Sequence, residues 1–228
     1  MIGTGLFLAF QRYTGPVSEY IIRRVNGEKT TADRLAEFGN EARARMAPAF
    51  AQAEVAYPPE WVTLVAIKSD RSLAVYGGHA AEDPRHVITY PVQGQSGELG
   101  PKLREGDRQV PEGLYNIEAL NPNSRFYVSL RLNYPNAWDQ ARAADDGRNE
   151  PGSDIYIHGQ RASVGCLAMG DVAIEELYTL VADCGMKNVR VIIAPVDFRH
   201  ATAPDELSEK LPWLDALYGD IRAALATL

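Results

Sequence analysis

The stretch Ile157–Asp171, IHGQRASVGCLAMGD, decides how the chain is read. It holds one of four histidines and one of two cysteines, with His158 eight positions before Cys166 and Gly159, Gly165 and Gly170 around them. SDIYIHG before it alternates as a strand does, with Tyr156 and His158 on one face and Ile155 and Ile157 on the other. DVAIEELYTLVADCG after it reads as a helix with Asp171 at its cap and Gly185 at its stop. A loop between strand and helix therefore carries a thiol beside a histidine.

A free thiol has a pKa of about 8.5 and is mostly protonated at neutral pH. A nucleophilic cysteine needs a base within hydrogen-bond reach, and the base needs an orienting group. In this reading Cys166 is the nucleophile and His158 the general base, with the Gly159 carbonyl as its orienter. The glycines allow sharp turns and close backbone approach, and the amides of Gly165 and Cys166 are candidate oxyanion donors. Ser163 either ties the loop together or donates to substrate. Residue types and spacing alone also leave two plainer readings open. One is a structural histidine beside a small buried thiol; the other is a metal site of His158, Cys166 and Asp171.

Outward from the loop, WVTLVAIKSDRSLAVYG predicts a hairpin turning at Ser69–Asp70–Arg71. HVITYPVQ, LYNIEAL, FYVSLRLN and NVRVIIAP predict four more strands, the third with Phe126, Val128, Leu130 and Leu132 on one face and the last buried. A long glycine-rich segment, Gly94 to Gly113, is of a length usually functional or disordered. Thr30 to Gln52 reads as a helix capped at Thr30 or Thr31, with Leu35, Phe38, Ala42 and Met46 as its apolar stripe and Pro48 as a kink or end. A short helix follows Pro135 and stops near Gly147, and Leu207 to Leu228 predicts one or two final helices. Many short strands with few helices predict a mainly β, α+β domain, a sandwich or open barrel with peripheral helices. The expected division is an N-terminal extension (1–55), a catalytic domain (56–200) and a helical tail (201–228).

The chain has 228 residues and a net charge of −7, with no basic cluster, which argues against nucleic-acid binding. Cys166 and Cys184 make no disulfide framework, and a bridge between them would block the nucleophile, so both are expected as free thiols. MIGTGLFLAF is apolar but too short to span a bilayer. It reads either as the remnant of an export signal or membrane anchor, or as an arm packed on the domain.

The motifs, taken together, resemble the YkuD-type L,D-transpeptidase catalytic domain, whose members carry His-Gly and then Ser/Thr-x-Gly-Cys. Here these are His158–Gly159 and Ser163–Val164–Gly165–Cys166. The YafK-like branch is closer still, through Gly100–Pro101–Lys102, Glu105–Gly106–Asp107, Pro111–Glu112–Gly113–Leu114–Tyr115, Asn121–Pro122–Asn123–Ser124 and Tyr134–Pro135–Asn136 with Asp139. The likeness runs from about Trp61 to Pro195. Many members have a second histidine where this chain has Val164, which leaves His158 as the candidate base.

The resemblance implies a β-sandwich-like catalytic domain in the bacterial envelope or periplasm. It implies peptidoglycan stem peptides as substrate and a Cys166 thioester formed at diaminopimelate, with no metal or organic cofactor. Transpeptidation is the first reading. Hydrolysis by the same chemistry is the second, as a carboxypeptidase or as an amidase releasing a wall-linked lipoprotein. A domain that only binds peptidoglycan is the third. Arg161, Lys102, Arg104 and Tyr134 are candidate substrate contacts, Arg161 as a bidentate carboxylate donor; for Tyr134 packing is an equal alternative.

Overall fold

The computed structural model describes residues 27–79, 84–202 and 211–228. The apolar N-terminal decapeptide lies outside them, as does the start of the expected final helix at Leu207.

Eight strands form one mixed sheet. Along the chain they are β1 (Trp61–Ile67), β2 (Ser72–Gly78), β3 (Arg85–Pro91), β4 (Gly113–Ser124), β5 (Tyr127–Leu132), β6 (Tyr156–His158), β7 (Leu167–Ala168) and β8 (Val189–Ala194). Their order in the sheet is β3-β2-β1-β8-β4-β5-β6-β7. Two pairings are parallel, β1 with β8 and β6 with β7; the others are antiparallel. β4 makes the corner. Gly113–Asn116 pair with β8, and Ile117 onward pairs with β5. The sheet curls until the chain leaving β3 meets β7, where Gly94 and Ala168 form a bridge, Ala168 N–H to Gly94 O at 2.8 Å and Gly94 N–H to Ala168 O at 3.1 Å. The result is an open barrel whose two edge regions touch at one point.

β1 and β8 read as continuous apolar runs because both their faces are covered. Leu64, Val191 and Ile193 join the interior core, while Val65, Ile67 and Ile192 pack on α4 (Leu214–Leu225) through Leu214, Leu217 and Ile221. The interior core also takes Val128, Leu130 and Leu132 of β5, Ile157 of β6 and Leu167 of β7. It is shared with the helix Asp171–Cys184, here α3, through Ile174 and Leu177.

The N-terminal helix α1 runs through Thr31–Arg34, a π-helical stretch Leu35–Gly39 and Asn40–Gln52. Thr30 caps it in a reciprocal box with Asp33. Pro48 neither ends nor replaces a turn; the helix continues past it, and the irregularity lies at the π stretch instead. Phe38, Ala42, Met46 and Phe50 recur every four residues on its buried face and belong to or line the interior core. Two arginines tie α1 to α3: Arg43 donates to both carboxylate oxygens of Asp183 at 2.7 and 2.8 Å, and Arg45 pairs with Glu175 and Glu176. The short helix α2 (Ala137–Asp145) is capped by Asn136, boxed with Asp139.

The long segment 94–113 is held by its own side chains. Asp107 accepts from the Leu103, Arg104 and Gln109 amides, and Gln109 donates to the Glu98 and Gly100 carbonyls at 2.6 Å each. Beneath it Lys68 Nζ, fully buried, donates to Gly100 O, Val110 O and Glu112 Oε1. Glu112 accepts in turn from Gly100 N–H and from Tyr218 O–H of α4. A buried ion pair thus joins the loop to the barrel and the C-terminal helix.

Candidate active site

The register of two short strands sets the histidine's strand beside the end of the cysteine loop. β6 and β7 run parallel with His158 opposite Ala168. Cys166 stands two residues before Ala168, so side-chain alternation puts Cys166 and His158 on one face. The other face, with Ile157 and Leu167, belongs to the interior core. On the far side of β6 the antiparallel partner of His158 is Ser129.

His158 is 1% exposed. Its Nδ1 lies 2.7 Å from the Gly159 carbonyl oxygen. A carbonyl only accepts, so Nδ1 carries the proton and Nε2 of the neutral ring holds the free lone pair. Nε2 is buried with no hydrogen-bond partner, and so is Ser129 Oγ. Burial lowers the His158 pKa, opposed by the Gly159 contact. Phe126 stacks on the imidazole, ring centroids 4.7 Å apart at 25°. This Phe126 is not the strand residue the sequence suggested: it sits in the turn before β5, whose first residue, Tyr127, has φ of 81°. The turn swings Phe126 off the core face and onto the histidine. A Cβ at Gly159 would stand 2.8 Å from Asp171 Oδ1 and 2.9 Å from Phe126 O, so only glycine fits.

Cys166 and Cys184 are both free thiols. Cys166 Sγ points to the Asp154 carbonyl at 3.8 Å and makes no hydrogen bond to His158 Nε2. Burial raises the Cys166 pKa, offset in part by the Tyr156 amide and the charge of Lys102. Both directions favour a neutral thiol and a neutral imidazole at rest.

Several residues named from sequence have other employment. The Gly165 amide donates to Ser96 Oγ at 2.7 Å, and the Cys166 amide to Ser163 Oγ at 3.1 Å, so neither expected oxyanion donor stands open. Ser163 also donates to the Cys166 carbonyl at 2.6 Å. Its hydroxyl therefore ties the loop and is not presented to a substrate. Lys102 is buried and bound to Asp107 at 2.6 Å and to Arg104 O at 2.9 Å. It acts on Cys166 by its field, not by reaching a ligand. Tyr134 is buried with its hydroxyl on Pro151 O at 2.8 Å, a packing tyrosine. Asp171 is the first residue of α3, with Gly170 in the cap position; its carboxylate accepts from Gln160 N–H at 2.8 Å and braces the loop. Arg161 and Arg104 are exposed, with no side-chain partner among the described residues. Among those residues no three of His, Cys, Asp and Glu gather closely enough to hold a metal ion.

Sequence reasoning missed Ser96, Phe126 and Ser129. Ser129 carried a faint signal, one small polar residue inside an apolar strand, on the face opposite Val128 and Leu130. The Cys166 loop also rests on Gly94: a Cβ there would fall 2.0 Å from the Arg161 carbonyl oxygen.

The chain is similar to known proteins. The family described as the L,D-transpeptidase catalytic domain, YkuD, matches residues 63–193. YafK of Escherichia coli (strain K12), an L,D-transpeptidase by provisional name, is 35% identical over 133 residues, 56% of this chain and 51% of YafK. The chain thus spans about half the length of the curated relatives it matches. Among solved structures, the helical cell shape determining protein Pgp2 of Campylobacter jejuni overlaps 58% of this chain and 47% of its own, at 25% identity and a TM-score of 0.48. Bd1075 of Bdellovibrio bacteriovorus overlaps 72% and 57%, at 19% identity and a TM-score of 0.45. With the family match covering more than half of its length, the chain belongs to the YkuD family of L,D-transpeptidase catalytic domains.

Proposed function

We propose that this protein is a peptidoglycan-modifying cysteine enzyme, an L,D-transpeptidase working through a Cys166 acyl-enzyme. Family membership supports the peptidoglycan connection. The observation that carries the chemistry is the His158 ring, with Nδ1–H spent on Gly159 O and a buried, unpartnered Nε2 on the face that also bears Cys166.

The Cys166 thiol turns from Asp154 O to His158 Nε2. Sγ attacks the carbonyl at the L-centre of diaminopimelate as its proton passes to Nε2. The imidazolium gives that proton to the leaving amine, and the C–N bond breaks to leave a thioester. An acceptor amine resolves the thioester in transpeptidation; water resolves it in hydrolysis. The oxyanion takes the Cys166 amide by displacing Ser163, whose bond at 3.1 Å is longer than the 2.7 Å bond of Ser96 to Gly165. In this reading residues 56–200 are the catalytic domain, the location is the periplasm, and the partners are stem peptides or a wall-linked lipoprotein. In the same reading the N-terminal segment is the anchor; no helix of the described residues is long and apolar enough to cross a membrane.

The test is mass spectrometry of muropeptides with tetrapeptide stems, incubated with wild type and with Cys166→Ala. Crosslinked dimers dependent on Cys166 support transpeptidation. Loss of the terminal residue without dimers, or cleavage of lipoprotein-linked muropeptides, selects the hydrolase. Cys166→Ala with full turnover overturns the scheme.

A further inference from the structure

His158 is held by one hydrogen bond, from its own Nδ1–H to the Gly159 carbonyl at 2.7 Å, and its Nε2 has no partner. One such bond is a loose restraint on a ring that turns about two side-chain torsions, the second of them broad. Phe126 supplies the other restraint, stacked on the imidazole with centroids 4.7 Å apart and planes at 25°. What places Phe126 therefore bears on the base. Phe126 is the second residue of a two-residue turn, Arg125–Phe126, between the paired Ser124 and Tyr127. Tyr127 keeps a φ of 81°, an outlier for a bulky side chain that persists only where the surroundings hold it.

The surroundings that hold it come chiefly from α1. The Arg34 guanidinium lies over the Tyr127 ring, 5.1 Å from its centroid, and Arg34 Nε donates to the Pro122 carbonyl at 2.8 Å. One side chain thus grips both sides of the turn, and it is nearly buried, 12% exposed. Phe38, one turn further along the helix, packs on Tyr127 with centroids 6.1 Å apart. The Tyr127 hydroxyl donates to Glu175 of α3 at 2.8 Å, and Arg45 of α1 holds the same carboxylate. Just before α1, Lys29 and Asn123 exchange two hydrogen bonds, Lys29 N–H to Asn123 Oδ1 at 2.9 Å and Asn123 Nδ2 to Lys29 O at 2.8 Å. None of these α1 residues lies within 63–193, the residues that match the family.

We infer that Arg34 is a positioning residue for His158, with α1 as the brace through which it works. The helix holds Tyr127 in its positive-φ conformation, Tyr127 holds Phe126, and Phe126 fixes the plane of the imidazole. The N-terminal extension thereby becomes part of the site without touching it. A helix that only covered the core would need its apolar stripe, Phe38, Ala42, Met46 and Phe50; it would not need an arginine clamped on the carbonyl of a remote turn. The catalytic consequence rests on the reading of His158 as the base; the path from Arg34 to the ring does not.

The experiment separates the two. Histidine ring signals are read by NMR in the full chain, with His158 assigned by the signals lost in His158→Gln. A stacked phenyl face shifts the ring protons of His158 upfield, and Phe126→Leu removes that shift. Arg34→Gln moves the signals toward their Phe126→Leu positions. Asn123→Ala, which cuts an exposed tie and spares the helix, moves them in the same direction. Arg43→Gln is the control: it breaks the Asp183 ion pair of the same helix, away from the turn, so it lowers the melting temperature and leaves the His158 signals at their wild-type positions. Turnover of tetrapeptide stems is then measured. In Arg34→Gln kcat falls about tenfold with KM unchanged, the order of effect of a small misplacement of a reacting group. Adding Arg34→Gln to Phe126→Leu lowers kcat no further, because both act on one path. His158 signals unmoved in Arg34→Gln, or moved equally in Arg43→Gln, overturn the brace. An unchanged kcat, or losses that add to those of Phe126→Leu, overturns the path to the base. Wild type with no turnover of any stem overturns the peptidoglycan reading alone, and the NMR arms still decide the brace.

Discussion

Substituting Gly94 by alanine tests whether barrel closure and the Cys166 loop are one device. A Cβ at Gly94 would sit 2.0 Å from the Arg161 carbonyl oxygen and 3.3 Å from Ala168 Cβ. The first contact is with backbone and has no rotamer to escape into, so one strand of the closure must move by about 1 Å to restore ordinary contact. Moving it breaks the two hydrogen bonds of the Gly94–Ala168 bridge. Each is worth about 1 kcal/mol net, and overpacking adds about 1–3 kcal/mol. The expected cost is about 3–5 kcal/mol, a fall in Tm of about 10 °C for a domain of this size. The matched control is Gly219→Ala in α4, where a Cβ meets nothing within 4 Å. That change stabilises by about 0.5–1 kcal/mol, as alanine does in place of glycine inside a helix. Thermal melts by circular dichroism give both numbers, and Cys166 alkylation reports whether the loop has shifted. Gly94→Ala melting within about 2 °C of wild type, with alkylation unchanged, would refute the coupling.

Lys68→Met strands Glu112, which keeps only Gly100 N–H and Tyr218 O–H. The expected loss is about 3 kcal/mol in denaturant unfolding, partly recovered by Lys68→Met with Glu112→Gln; no recovery would show that the charge itself is not the cost. Asp139 has its pKa raised to about 6 by burial, against an ordinary 3.8. A raised acid contributes stability that is full below about pH 3.8 and is lost as pH rises through about 6. Asp139→Asn, which keeps an oxygen for the Asn136 amide, therefore gains on wild type by about 2 kcal/mol between pH 4 and pH 7.5, allowing for partial exposure. Equal differences at both pH values would remove Asp139 from the pH dependence.

The legible parts were those written in local pattern. The apolar run WVTLVAI, the alternation in FYVSLRL and a four-residue stripe in α1 each report burial that neighbours in sequence share. Glycine and proline marked most boundaries, and the His–Gly and Gly–Cys pieces marked the loop. What stayed hidden depends on contacts far apart in the chain. Ser96 meets Gly165 across 69 residues and Lys68 meets Glu112 across 44. A lysine just after a strand reads as a turn residue, and only the fold reveals that the segment 94–113 buries it. Phe126 was misassigned because alternation was carried one residue too far, across the positive φ of Tyr127. Asp171 looked like a cap by type, and it acts instead on Gln160 because Gly170 already occupies the cap position.

Three of the five expected substrate contacts have other partners for one shared physical reason. Lys102, Ser163 and Tyr134 are polar residues near a presumed cleft, and each was judged by what its side chain can offer a ligand. The structure shows each offer already taken, by Asp107, by the Cys166 backbone and by Pro151. A buried polar group seeks a partner inside the protein first, because leaving it unpaired costs about 1–3 kcal/mol. The groups left over are therefore the informative ones. In the site they are His158 Nε2 and Ser129 Oγ, both buried. The two residues lie opposite each other across one strand ladder. In the proposed chemistry the unpaired ring nitrogen receives a proton. The neutral resting pair fits that role. With burial raising Cys166 and lowering His158, the thiolate does not stand ready, and proton transfer waits for the thiol to turn. Alkylation of Cys166 by iodoacetamide should then rise with pH along a curve displaced above that of an ordinary thiol. A plateau from pH 5 to pH 8, the mark of a preformed thiolate–imidazolium pair at about those values, would contradict it.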